Sequence, residues 1–208
     1  GPGCSGTETL RDHSPAQELL QAEFAVKSQL LLQSLGVAKD FNFVMPPYNE
    51  GNGAKAWGFI RYDYTAKPGL TALGVLLRTL GSAQCQGEIA LPEGLRGFLF
   101  KQPGGSQTLA FWSRSELDDS DAYQYSGKEE PKLYSKSFEL PSKSQATLLN
   151  IFGTPQALAS QNGALHLEAS RYPAYLCNLS GLAADAKSSQ PSKPSAKTPD
   201  IEKAIVLQ

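Results

Sequence analysis

The side chains that could do acid–base or nucleophilic chemistry are few, and they gather near the start of the sequence. Glu8 stands between two threonines, and Asp12, His13 and Ser14 follow as consecutive residues. Consecutive side chains cannot align as a nucleophile–base–acid relay without further geometry, so a helix-capping loop is the better interpretation of this triplet. Glu8 taken by itself is a carboxylate ahead of a helix, where a negative charge favours the helix dipole.

Metal chemistry finds little support in the sequence. Cys4, Cys85 and Cys177 lack the paired spacing of a zinc site, and the chain has only two histidines. The acidic residues at 118–121 lack the glycine and the distal glutamate of an EF-hand loop, which favours a solvated loop. We therefore expect no metal centre and no organic cofactor.

A second group of candidates lies in the loop sequence PPYNEGNGAKAW at residues 46–57. Aromatic rings offer flat apolar faces to a ligand, and amide groups can hydrogen-bond its polar groups. Tyr48, Trp57 and Asn49 are therefore candidate substrate-binding residues, with Phe43 a weaker one. In the alternative interpretation, Phe43 belongs to the core and Trp57 only packs the loop down.

Composition limits the possible partners. The net charge of −1 gives no electrostatic reason to expect nucleic acid, and no apolar run is long enough to span a membrane. The hydrophobic fraction of 40% is enough for a core. Residues 181–208 are rich in Ser, Pro and Lys, which predicts a disordered linker and tail.

The elements that must position these residues change character near residue 81. Ser14, Pro15 and Gln17 form a helix start, and Gly36 a helix stop. The sequence DFNFVM at 40–45 predicts a strand buried on both faces, and residues 68–80 predict a second helix. Later segments follow a period of two, which predicts strands at residues 84–90, 95–101, 108–113, 133–140, 145–151, 165–169 and 172–177.

The order of several short motifs resembles the C-terminal part of glycoside hydrolases that join a (β/α)₈ barrel to a β-sandwich. These motifs are GFIRYDYTAKPGLTAL at 58–73, LLNIFGTP at 148–155 and YPAYL at 172–176. The resemblance implies an α/β plus all-β fold, in which a helix–strand–helix barrel end at residues 1–81 precedes an antiparallel β-sandwich at 82–180. It also implies that an N-terminal barrel portion is missing.

The resemblance assigns Glu8 the role of candidate nucleophile, at the end of the seventh barrel strand. A retaining glycoside hydrolase uses such a carboxylate with a second carboxyl about 5 Å away. The family places that acid on the fourth strand, which this sequence lacks, so the chain alone is expected to be inactive. The implied substrate is a polysaccharide or oligosaccharide, and the implied location is secreted, periplasmic or at the cell surface.

An alternative of another class is a non-catalytic β-sandwich module of a multi-domain surface protein, which binds carbohydrate or protein. Trp112 alternates with Leu109 and Phe111, so an inward Phe111 points Trp112 outward or into the seam between the two predicted domains. The cluster of Trp112, Tyr123 and Tyr125 is the aromatic group that such a module could use.

Overall fold

The structure is a computed structural model that describes residues 13–42, 45–50, 53–55, 57–115, 132–142 and 145–184. Two helices and ten strands lie within these residues. The helices are α1 (Pro15–Ser34) and α2 (Pro68–Leu80). The strands are β1 (Tyr48–Glu50), β2 (Gly53–Lys55), β3 (Gln84–Glu88), β4 (Leu95–Lys101), β5 (Gln107–Ser113), β6 (Lys136–Pro141), β7 (Ala146–Leu149), β8 (Pro155–Leu158), β9 (Ala164–Ala169) and β10 (Ala174–Leu179).

Helix α1 begins with the capping box that the sequence predicts. The backbone N–H of Gln17 donates to the Ser14 hydroxyl oxygen at 3.3 Å, and the Ser14 N–H donates to the Gln17 side chain at 2.9 Å. Gly36, just past the helix, has a φ of +77°, a left-handed conformation that glycine adopts without steric cost. The predicted start and stop of α1 are therefore confirmed.

The strands form one large and two small antiparallel sheets. The large sheet has the order β3-β4-β5-β10-β7-β8, while β6 pairs with β9 and β1 with β2. Central strand β5 is buried along its whole length, because both of its faces are covered. The chain is thus a sheet-rich, mostly antiparallel structure with two helices.

Two hydrophobic cores lie on the two faces of the large sheet. The first joins α1 and α2 to one face, through residues that include Val26, Leu76, Phe98, Trp112 and Tyr175. The second joins the opposite face to the β6–β9 pair, through residues that include Leu109, Phe111, Phe138, Leu167 and Leu176. The order of layers is therefore helices, large sheet, small sheet.

The predicted buried strand at 40–45 is wrong over the residues that the structure describes. Residues 40–42 have no regular structure, and Phe41 is 85% exposed. A strand buried on both faces needs neighbouring strands, and the described part of the chain provides none here. Residues 43 and 44, which include the weaker candidate Phe43, lie outside the described residues.

Most of the later strands lie where the period of two predicts them, with ends shifted by a few residues. Strand β4 is at the predicted residues, whereas β6 begins three residues later than predicted, at Lys136. Two features were not predicted: the β1–β2 hairpin and strand β8. The predicted linker and tail lie outside the described residues beyond 184.

Candidate functional site

The loop that carries the predicted sugar contacts is a short hairpin. Tyr48 pairs with Lys55 and Asn49 with Ala54 across the β1–β2 ladder. Both candidates therefore lie on β1, the first strand of this hairpin. Trp57 comes two residues after the end of β2. The structure describes the backbone of Tyr48 and Asn49, and it leaves their side chains undescribed.

Helix α1 holds the base of this hairpin through a side-chain amide. The Nε2 group of Gln21 donates to the carbonyl oxygens of Trp57 at 2.7 Å and of Gly58 at 3.3 Å. A Cβ at Gly58 would come within 2.3 Å of the Met45 carbonyl oxygen, so only glycine fits there. The segment before the hairpin and the segment after it thus meet in direct contact, beside a half-buried Trp57.

A tight turn at residues 60–66 follows, and an ion pair binds it to α1. The Nε and Nη2 atoms of Arg61 donate to the two carboxylate oxygens of Glu18, at 2.8 and 2.6 Å. The Nη1 atom of Arg61 also donates to the Thr65 hydroxyl at 3.0 Å and to the Ala66 carbonyl at 2.8 Å. One guanidinium therefore fixes both arms of the turn against the first turn of the helix.

Asp63 and Tyr64 form the tip of this turn. The Oδ1 atom of Asp63 accepts from the backbone N–H of Thr65 at 2.9 Å and from its hydroxyl at 2.6 Å. These hydrogen bonds, the side-chain one foremost, hold the pKa of Asp63 below its usual range. Tyr64 is 82% exposed, and its φ of +63° is left-handed.

The predicted catalytic residue Glu8 lies outside the described residues, as does Asp12. Of the consecutive triplet, Ser14 caps α1 and His13 is buried beside it. This arrangement confirms the capping-loop interpretation for Ser14. The structure thus groups Tyr48, Asn49 and Trp57 on one short segment and leaves the position of Glu8 relative to them undescribed.

Trp112 is fully buried between the large sheet and α1. The Lys27 ammonium lies 5.6 Å from the centre of its ring, so the indole faces the helix rather than solvent. It therefore offers no platform for a sugar in the binding-module alternative. The other two members of that predicted cluster, Tyr123 and Tyr125, lie outside the described residues.

A buried ionic cluster beside Trp112 was not predicted from the sequence. Glu23 Oε1 accepts from the Lys27 ammonium at 2.8 Å and from the Ser115 hydroxyl at 2.7 Å, while Glu23 Oε2 accepts from Arg171 Nε at 2.6 Å. Both Glu23 and Arg171 are completely buried. The spacing of Glu23 and Lys27, four residues apart on a helix, is the one signal that could have indicated part of it.

The outer face of the β6–β9 pair forms an open hollow of about 540 Å³. Its polar side chains come from neighbouring positions on the two strands, and Glu139 Oε1 lies 3.2 Å from His166 Nδ1. Both side chains are more than half exposed, so solvent screens this pair. No group of three or more His, Cys, Asp or Glu within the described residues is arranged to hold a metal ion.

Neither α1 nor α2, the helices of the described part of the chain, is long and apolar enough to cross a membrane. No protein-family model matches the sequence, and no curated protein matches it either.

The fold itself, an antiparallel sheet covered by two helices, is related to that of a glycoside hydrolase. A solved structure with this similarity is a family 39 glycoside hydrolase from the gut symbiont Bacteroides cellulosilyticus WH2, with a TM-score of 0.59 and 18% sequence identity. The similarity covers 77% of this chain and 30% of the chain of that enzyme. The chain therefore spans about a third of the length of the enzyme it matches.

Proposed function

We propose that the chain is the C-terminal part of a carbohydrate-active glycoside hydrolase, which hydrolyses glycosidic bonds when the protein is complete. One observation carries the proposal: the fold of most of the chain is similar to part of a family 39 glycoside hydrolase. The ion pair between Arg61 and Glu18, which holds the turn at residues 60–66 against α1, adds support. The turn lies within GFIRYDYTAKPGLTAL, one of the motifs whose order carries the family resemblance.

In this proposal residues 1–81 supply the last elements of a (β/α)₈ barrel, and residues 82–180 supply a β-sandwich that packs on it. The first core supports such packing, because α1 and α2 share it with the large sheet. The rest of the barrel comes from sequence upstream. A secreted, periplasmic or cell-surface location follows from the proposed polysaccharide substrate.

The chemistry proposed for the complete protein is hydrolysis with retention of configuration. Glu8 attacks the anomeric carbon while a carboxyl on the missing fourth strand protonates the leaving oxygen. The same carboxyl group then deprotonates a water molecule, which displaces the sugar from Glu8. Tyr48 and Asn49 on β1, and Trp57 just after β2, contact the sugar.

The first test is the size of the native protein. An antibody raised against this chain would capture the protein from its source, and mass spectrometry would weigh it. We expect a mass well above 22.3 kDa, with upstream sequence that supplies the remaining β/α units. A native product of 22.3 kDa would contradict the proposal and favour the binding-module alternative.

The second test is hydrolysis by that native-length protein on a panel of polysaccharides, with reducing ends as the readout. We expect Glu8→Gln to lower kcat by roughly 10⁴-fold or more, because it removes the nucleophile. Glu139→Gln is the matched control, since Glu139 is an exposed carboxylate of β6 that lies outside the proposed site. Equal activity in the two variants would exclude Glu8 as the nucleophile.

A further inference from the structure

The turn at residues 60–66 carries an exposed aromatic residue, Tyr64, in a backbone conformation that disfavours large side chains. Tyr64 is 82% exposed, so burial does not stabilise its ring. Its φ of +63° is left-handed, a conformation that is an outlier for a bulky side chain and routine for glycine. Glycine or asparagine at this position would serve the fold as well or better. The presence of tyrosine therefore points to a contact outside the chain.

Hydrogen bonds hold the backbone of the turn that carries this ring. Backbone hydrogen bonds join Arg61 to Thr65 at 2.9 Å and Tyr64 to Arg61 at 2.9 Å. Asp63 accepts two further hydrogen bonds from Thr65, and Arg61 is fixed by its two bonds to Glu18. A turn backbone held this way loses little conformational freedom when its side chains bind a ligand.

The position of the turn fits a ligand at the catalytic end of a barrel. Its anchor Glu18 lies in the first turn of α1, and Pro68 begins α2 directly after the turn. The first turn of α2 also lies against α1, since a Cβ at Gly69 would be 3.6 Å from the Ala22 Cα. Both helices therefore start beside the turn. In a β/α barrel, helices start at the end that carries the active site.

The charges at the tip restrict the kind of sugar. Glu18 neutralises the Arg61 guanidinium, whereas the Asp63 carboxylate is exposed, and hydrogen bonds from Thr65 keep its pKa low. The tip is therefore negative at neutral pH. An aromatic face beside a carboxylate suits a ring that is apolar on one side and carries neutral hydroxyls, and it repels a carboxylated or sulfated ring.

We propose that Tyr64 and Asp63 form a contact site for a neutral saccharide ring of the substrate, separate from the hairpin candidates Tyr48, Asn49 and Trp57. This site rests on the proposed function, because it takes its ligand from the polysaccharide substrate. Tyr64 stacks on the apolar face of the ring, and Asp63 accepts hydrogen bonds from its hydroxyls.

The test is affinity electrophoresis of the 208-residue chain in gels that contain hydroxyethyl cellulose, a neutral glucan, or polygalacturonate, an anionic polymer. We expect the neutral polymer to retard the chain and the anionic one to leave it unaffected. Tyr64→Gly is expected to weaken the retardation about two- to tenfold, because the stacking contact is lost. Tyr64→Phe is expected to keep it.

Two controls separate binding from folding. Phe152→Ala removes an exposed aromatic ring in the turn between β7 and β8 and is expected to bind as the wild type does. The urea midpoint of Tyr64→Gly is expected to equal or exceed that of the wild type, so weakened binding would not come from misfolding.

Three results would overturn the site: no retardation of the wild-type chain, equal retardation of Tyr64→Gly, or stronger retardation by polygalacturonate. None of them decides the proposed function, which depends on the size and hydrolytic activity of the native-length protein. If the native-length protein hydrolyses a polysaccharide but the 208-residue chain is not retarded, only the proposed Tyr64 site is excluded. If the native-length protein is retarded but does not hydrolyse the polysaccharides, the proposed hydrolase function is excluded and the carbohydrate-binding surface is supported.

Discussion

Glu23 shows how a single buried charge can join distant parts of the chain. Its two carboxylate oxygens accept from Lys27 of the same helix, Ser115 after β5 and Arg171 before β10. A buried carboxylate is tolerated because each oxygen has charged or hydroxyl donors, and removal of one donor leaves charge that water cannot reach. The cluster fixes the orientation of α1 on the sheet more strictly than apolar contacts alone would.

We expect Arg171→Met to lower the free energy of unfolding by about 2–3 kcal/mol, because it leaves the buried Oε2 atom of Glu23 without its donor. Arg96→Met is the matched control. Arg96 pairs with Glu88 at 3.2 Å near the surface, and its loss is expected to cost less than about 1 kcal/mol. Urea unfolding of both variants checks this, and equal losses would contradict the special role of the buried pair.

Asp63 gives stability a specific dependence on pH. Its pKa in the folded chain is lower than the ordinary value of 3.8, so its contribution is complete above that value and is lost as pH falls through the lower folded pKa. We expect the stability difference between wild type and Asp63→Asn to be constant at neutral pH and to vanish in strong acid. Urea midpoints measured from pH 7 downward test this, and a difference that persists in strong acid would contradict it.

Thr65→Val is the companion variant for the same measurement. It removes the hydroxyl that donates to Asp63 Oδ1 at 2.6 Å, the largest cause of the lowered pKa. The pH dependence that separates wild type from Asp63→Asn is therefore expected to shrink in the Thr65→Val background. An unchanged dependence would show that another group is responsible.

At the scale of elements, two glycines with different surroundings provide a direct comparison. Gly58→Ala would place a Cβ 2.3 Å from the Met45 carbonyl oxygen, and we expect it to lower stability by about 1–3 kcal/mol. Gly74→Ala lies inside α2, where the nearest atom would be 3.6 Å away, and we expect it to raise stability by about 0.5–1 kcal/mol. Thermal unfolding of both variants measures the difference, and effects of the same sign would contradict it.

The sequence predicts the elements whose signals are local. Helix α1 carries its own cap, and strand β4 is a short apolar run bounded by turn residues, so both are found where expected. Strand β8 begins with a proline and is largely exposed, so no alternation marks it. The sequence DFNFVM suggested burial, but burial of a strand depends on neighbours that the strand itself does not encode.

The candidate site could be predicted only in part, for the same reason. The aromatic and amide residue types make Tyr48, Asn49 and Trp57 candidates, but no sequence pattern predicts the hairpin that carries the first two. The contact between α1 and the turn at residues 60–66 depends on the pairing of Arg61 with Glu18, which are 43 positions apart in the sequence. Arg171 and Glu23 are 148 positions apart. Neither pair has a periodic pattern that would reveal it.

At the scale of the whole molecule, the reactivity of two cysteines reports on the packing of the helices against the large sheet. Cys85 and Cys177 are free thiols packed against the first core, and burial raises the pKa of each. We expect both to react slowly with iodoacetamide at pH 8, because few thiolates form, and at the rate of a free cysteine in urea. Mass spectrometry after timed quenching measures the two rates. Fast labelling of either one under native conditions would show that the helices separate from the sheet.

The place of β10 between β5 and β7 sets an order in time as well as in space. Strands β3, β4 and β5 leave the ribosome in succession and can pair at once, whereas the free edge of β5 waits for residues 174–179. Tyr175 arrives with them to complete the core under α1 and α2. Long-range pairing of this kind is slow because a large loop must close first. The helices can therefore pack on β4 and β5 as soon as these strands pair, but the core beneath them is complete only when β10 adds Tyr175.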